Sequence, residues 1–81
     1  MKVRLERLAF DRRGRLSRAV FRFREPGLRR ETAVTVEWRD VCGDREWFAL
    51  GWCPPEAWRL ILPLLAQVRH AVDTLPSADE R

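Results

Sequence analysis

Three arginines in one short segment have the spacing that polyanion binding needs. In residues 16–25 (LSRAVFRFRE), Arg18, Arg22 and Arg24 alternate with Ala19, Phe21 and Phe23. Period-two alternation puts Arg18, Val20, Arg22 and Arg24 on one side of an extended strand, with neighbouring positions about 7 Å apart. Phosphates along an extended nucleic-acid strand repeat on a similar length. A guanidinium donates two parallel hydrogen bonds to a phosphate and also stacks on bases. Arg29 and Arg30 follow in a loop, and Arg39 lies on the polar side of the next strand. Aromatic side chains on the same sheet face would hold bases, at about 1–3 kcal/mol each. By phase, Trp47 and then Phe10 are the candidates. The competing reading is a solvated arginine face with Trp47 packed beneath a loop or a neighbouring subunit.

Other chemistry is poorly supplied. Two cysteines, Cys42 and Cys53, and one histidine, His70, fall short of a four-ligand zinc site and contain no Cys-x-x-Cys pair. The thiols read as small fillers and His70 as an exposed helix residue. Glu31, Glu37, Asp40, Asp44 and Glu46 read as a solvated hairpin rim, not a metal site. Each glycine stands alone at a turn, so there is no phosphate-cradling loop. No nucleophile, base and orienting group recur together. The expectation is a non-enzymatic protein with no catalytic residues, no metal and no cofactor.

Charge is unevenly distributed along the chain. Residues 1–30 hold eleven Lys or Arg and three acids, a balance of +8, whereas residues 31–81 hold five Arg and nine acids, a balance of −4. Such asymmetry suits either an anion-binding face or charge-guided self-assembly. A GC-rich genome would account for arginine over lysine, since only Lys2 is lysine, but not for the crowding at one end. The 81 residues suffice for one domain with a modest core, which a second copy would help to stabilise. No apolar run is long enough to span a membrane, and Met1–Phe10 lacks the uninterrupted apolar stretch of a secretory signal. The expectation is a cytoplasmic protein.

The elements that position these residues read as ββββα, an α+β domain over 1–76 with a polar tail at 77–81. Segment 2–10 alternates with a slip near Glu6-Arg7, the mark of a bulge. Asp11-Arg-Arg-Gly14 and Pro26-Gly27 supply turns. Segment 32–41 is β-branched, with Val34, Val36 and Trp38 as its apolar side. A turn at Cys42-Gly43-Asp44 centred on Asp44 leads to segment 45–52, with Phe48, Leu50 and Trp52 in phase. That register pairs Trp38 with Leu50 and Val36 with Trp52, and turns Trp47 to the opposite face near Val41. Pro54-Pro55-Glu56 begins a helix. Trp58, Ile61, Leu62, Leu65, Val68, Val72 and Leu75 form its main stripe. Leu60, Leu64 and Ala71 form a second stripe suited to a helix–helix dimer contact. Pro63 is expected to kink the helix or remove a hydrogen bond near Arg59.

The strand-to-helix junction, Phe48-Ala-Leu-Gly-Trp-Cys-Pro-Pro55-Glu56-Ala57-Trp58, resembles that of the positive cofactor four (transcriptional coactivator) family of single-stranded DNA-binding domains. Val68-Arg-His-Ala-Val72-Asp-Thr-Leu75 is similar to that family's closing segment, and Phe10-Asp-Arg-Arg-Gly14 to one of its strand turns. The resemblance covers residues 46–75 in sequence and 1–45 in outline. It departs at Gly43-Asp44-Arg45-Glu46, acidic where the family is basic, and at Pro63. It implies a ββββα homodimer joined through its helices, with sheets facing outward to hold single-stranded nucleic acid in a transcription-associated role. Residues and resemblance together predict that Arg18, Arg22, Arg24 and Arg39 neutralise phosphates, with Arg29 and Arg30 contributing from the loop and Trp47 and Phe10 stacking on bases. Backbone and stacking contacts serve DNA and RNA alike. The alternative is a homo-oligomeric protein-interaction module with no nucleic-acid ligand.

Overall fold

A computed structural model describes residues 1–74, apart from the side chains of Val41, Asp73 and Thr74. Four strands, β1 (Val3–Phe10), β2 (Leu16–Phe23), β3 (Thr32–Val41) and β4 (Asp44–Leu50), precede one helix, α1 (Pro55–Thr74). The strands form an antiparallel meander in the order β1-β2-β3-β4. This is the α+β, ββββα arrangement the periodicity predicts. The slip in β1 is a bulge between Leu5 and Arg7, followed by a second irregularity between Ala9 and Phe10. Asp11 builds the β1–β2 turn. Its Oδ1 accepts the backbone N–H groups of Arg13 and Arg15 at 2.8 and 2.9 Å. The tail at 77–81 and the helix end at Leu75-Pro76 lie outside the described residues.

The helix covers one side of the sheet, over β1 and β2. Leu16, Ala19, Phe21 and Phe23 from β2 and Val34 and Val36 from β3 are buried there, and Ala57, Ile61 and Leu65 come down from α1. Hydrophobic burial of this kind contributes about 25 cal/mol per Å² of apolar surface, and full burial of Phe21, Phe23 and Ile61 makes β2 and the first half of α1 the centre of the fold. Trp58 N–H donates to the Pro54 carbonyl at 3.0 Å, closing the first turn. Pro55 then occupies the first helical position, where its missing N–H costs nothing. Pro63 does not end the helix. It lies on the exposed side with Arg59, where water reaches a carbonyl that has lost its donor.

The buried stripe differs from the predicted one by part of a turn. Ala57 takes the central position with Ile61 and Leu65, so Leu62, 100° further round, is exposed. The same rotation turns Leu64 from the expected dimer stripe onto the core, leaving Leu60 and Ala71 of that set exposed.

The β3–β4 hairpin departs from its predicted register. Its turn is the two-residue Cys42-Gly43, with φ of 53° and 88°, which pairs Val41 with Asp44. Positive φ at both central residues is the type I′ geometry that matches strand twist. Asp40 Oδ1 accepts the Gly43 N–H at 3.0 Å and secures it. Trp38 therefore pairs with Trp47 and Val36 with Ala49. The shift is three residues, an odd number, so every β4 side chain changes face. Trp47 and Ala49 pack on the core, Phe48 and Leu50 turn outward, and Trp52 beyond the strand is 66 % exposed instead of facing Val36. Trp47 meets Trp38 edge-on, with centroids 5.2 Å apart and planes at 61°. The Arg69 guanidinium lies 4.0 Å over the Trp38 ring, a cation–π contact. Cys42, expected as a filler, is exposed because the turn carries it outward.

Candidate functional site

The helix leaves the other side of the sheet uncovered. Residues paired across an antiparallel ladder share a side, so the register gives the layout of this open face. Arg4, Arg22 and Ala33 form one row across it. Arg7, Val20, Thr35 and Leu50 form the next, then Ala9, Arg18, Glu37 and Phe48, and finally Arg39 and Glu46. Phe48 and Leu50 make an apolar pair on β4, and Val20 adds a third apolar side chain on β2, beyond Thr35 and Glu37. Arginines from β1, β2 and β3 border this group. The clean alternation of β2 positions Arg18 and Arg22, because Phe21 and Phe23 are committed to the core.

These arginines carry glutamate partners. Arg22 Nε donates to Glu6 Oε1 at 2.7 Å. Glu37 Oε2 lies 3.5 Å from Arg18 and 3.6 Å from Arg39. Arg4 grips Glu31 through Nε at 3.2 Å and Nη2 at 3.0 Å. That two-point hydrogen bond holds the Glu31 carboxyl below the usual carboxylate range and raises Arg4 above its ordinary value. Arg7 has no ion pair among the described residues. Exposed pairs of this kind are worth about 0–1 kcal/mol. A phosphate can replace a glutamate on these guanidinium groups at small cost, and the pairs hold the arginine side chains along the sheet meanwhile.

Arg18, Arg22 and Arg39 are thus on one face. Arg24 is exposed just past β2, and Arg29 and Arg30 are exposed in the loop that follows. The two aromatic candidates are not with them. Trp47 is on the helix side, for the reason of register given above. Phe10 pairs with the buried Leu16 at the end of β1 and is 49 % exposed there, so it also belongs to the helix side. The aromatic that does stand on the open face is Phe48, which packs opposite Glu37. Reading Cys42-Gly43 as a two-residue turn would have found it, since the next residues then alternate with Phe48 and Leu50 outward.

Among the concavities formed by the described residues, two matter for binding on the helix side. The larger, about 1030 Å³, runs between the start of β1, the β2–β3 loop and the Leu60–Leu64 side of the helix. The smaller, about 280 Å³, lies at the opposite end of the sheet, between the β1–β2 turn, the β3–β4 hairpin and Arg69. His70 is exposed. Cys53 is half-buried, and burial pushes its thiol up. The described residues contain no group of three or more metal-ligating side chains. No described helix is long and apolar enough to cross a membrane. No known family model, curated protein or solved structure matches the chain.

Proposed function

We propose that this protein binds single-stranded nucleic acid across its open sheet face and performs no catalysis. The observation that carries the reading is the uncovered face itself, where arginines from three strands border the Val20, Phe48 and Leu50 group. Phosphates exchange with Glu6, Glu31 and Glu37 on Arg22, Arg4 and Arg18. Phe48 stacks on a base, with Leu50 beside it. Arg24, Arg29 and Arg30 extend the positive track past one end of the sheet. The transcription-associated setting rests on the resemblance in residues 46–75.

Anisotropy of a labelled oligonucleotide, titrated at increasing salt, tests the reading. If Arg4, Arg7, Arg18 and Arg22 each engage one phosphate, log K falls against log salt with a slope of about −3. Phe48→Ala weakens binding roughly 5- to 150-fold, the equivalent of about 1–3 kcal/mol. Absent binding at low salt, a flat salt response, or an unaffected Phe48→Ala variant overturns it.

A second reading is self-association without nucleic acid. The glutamate partners favour it, because they offset most of the charge around an apolar group on a face that a second copy can cover. The helix offers another contact through Leu60 and Ala71, which are both exposed and lie on one side of it. Mass in solution, with and without oligonucleotide, separates the readings. A dimer whose mass is unchanged when oligonucleotide is added favours the second.

A further inference from the structure

The smaller concavity has the composition of an anion site, and it lies on the other side of the sheet from the open face. Arg13 and Arg15 reach it from the β1–β2 turn, Arg45 from β4 and Arg69 from the helix. The chain brings these four together from positions up to 56 residues apart. Two acids also line it, Asp11 and Asp40, and both are committed to backbone donors. Asp11 Oδ1 takes the N–H groups of Arg13 and Arg15. Asp40 Oδ1 takes the Gly43 N–H, while its Oδ2 stands 3.9 Å from Arg45 Nε, too long for a hydrogen bond. The side chains of Arg13 and Arg15 form no ion pair among the described residues. The guanidinium groups of Arg13, Arg15 and Arg45 therefore face two carboxylates whose acceptor capacity is partly spent on the backbone.

Trp38 supplies the wall. Its ring lines the cavity beneath Arg69, and its Nε1–H is buried with no acceptor among the described residues. Leaving such a donor unmatched costs about 1–3 kcal/mol. An anion held in the cavity would offer oxygen acceptors to this donor. Size narrows the ligand class. About 280 Å³ falls just under the roughly 300–1,000 Å³ of sites for drug-sized ligands. It admits a phosphate group with room for part of what carries it, but not a large ligand.

We propose that the cleft between the β1–β2 turn, the β3–β4 hairpin and Arg69 is a phosphomonoester site, with Arg13, Arg15 and Arg45 as its ligating cations and Trp38 as its wall. The dianionic group is carried either by a free small phosphate or by the terminal phosphate of a nucleic-acid strand.

Tryptophan fluorescence during titration with inorganic phosphate is the first test, with sodium chloride at matched ionic strength as the control. Saturable quenching or enhancement that chloride does not produce is the expected result. The double variant Arg13→Gln, Arg45→Gln, whose changes are on exposed side chains, raises the apparent Kd at least tenfold while leaving the circular dichroism unchanged. Trp38→Phe, which keeps the wall but loses the N–H, weakens binding when followed by calorimetry. Phe48→Ala leaves phosphate binding intact, so failure here and failure of the open-face reading are separate results. Oligonucleotides bearing a 5′-phosphate or a 5′-hydroxyl then separate the sources. A preference for the phosphate end that disappears in the double variant assigns the site to strand termini. Equal binding of the two, with inorganic phosphate still saturable, assigns it to a small phosphate. A response to phosphate that is no larger than chloride's, or that the double variant retains, overturns the proposal.

Discussion

Replacing Cys42 by asparagine probes the hairpin register on which the layout of both faces depends. Cys42 has φ of 53°, in the left-handed region, where a residue with an ordinary side chain loses about 1–2 kcal/mol. Asparagine tolerates that region through local hydrogen bonding, and Asn-Gly is the preferred type I′ pair. The side chain is exposed, so no packing is lost. Relief of part of the backbone cost predicts a gain of about 0.5–1 kcal/mol. For a domain of this size, 1 kcal/mol moves Tm by about 4–8 °C, so Tm rises by about 2–8 °C. Urea denaturation under reducing conditions, followed by circular dichroism, reads the change directly, and an unchanged m-value confirms that only stability has moved. Gly43→Ala is the counterpart. With φ at 88°, an added Cβ meets open space but a strained backbone, and stability falls by about 1 kcal/mol or more. In a turn centred on Asp44, Cys42 would not be a central residue of a type I′ pair, and its replacement would be neutral. Neutral or destabilising Cys42→Asn together with a tolerated Gly43→Ala refutes the two-residue turn. The outward placement of Phe48 and Leu50 falls with it.

Three further outcomes follow from the core, the turns and the thiols. Ile61→Ala, at a fully buried site, costs about 2–5 kcal/mol, whereas Leu62→Ala on the exposed side changes unfolding free energy by less than about 1 kcal/mol; equal costs in chemical denaturation would contradict the helix phase. Acid weakens the fold in a defined direction. Backbone N–H groups, that of Arg15 foremost, hold Asp11 below its ordinary value, and Arg4 does the same to Glu31. Their stabilisation is complete above the carboxylates' unfolded values, near pH 4, and is lost as pH falls through the lower folded ones. Denaturation midpoints measured from pH 6 down to pH 2 therefore decline, and they decline less in Asp11→Asn. Finally, iodoacetamide labels exposed Cys42 before Cys53, whose half-buried thiol is held protonated by desolvation; mass spectrometry of a time course showing the reverse order would contradict this.

Much of the fold follows from local chemistry. The alternation of β2 has one solution, because aromatic residues at 21 and 23 and arginines at 18, 22 and 24 cannot exchange sides without burying charge. Asp11 to Gly14 form a turn for reasons contained within five residues. Proline at 54 and 55 begins a helix because proline fits the first turn and nowhere later at so little cost. The bulge at Glu6-Arg7 is visible as a break in the period. Those features gave the ββββα order, the core strand and the arginine face without any knowledge of tertiary contacts.

The β3–β4 ladder could not be settled in that way. In β4 both parities are apolar, Trp47 and Ala49 on one and Phe48 and Leu50 on the other, so alternation alone does not choose a face. The choice is made by the turn conformation at Cys42-Gly43 and by the space Trp47 finds against Trp38, and it exchanges Trp47 for Phe48 on the open side. Likewise, nothing local pairs Arg4 with Glu31 or Arg22 with Glu6, 27 and 16 positions apart. Nor does anything local gather Arg13, Arg45 and Arg69 around one cavity. By itself the sequence determined which segments are strands and helix and which side of β2 is charged, because those follow from periods of a few residues. Only the tertiary structure decided which aromatic joins the arginines and how far their charge is offset, because each depends on register between strands, and register is set by packing across the whole sheet.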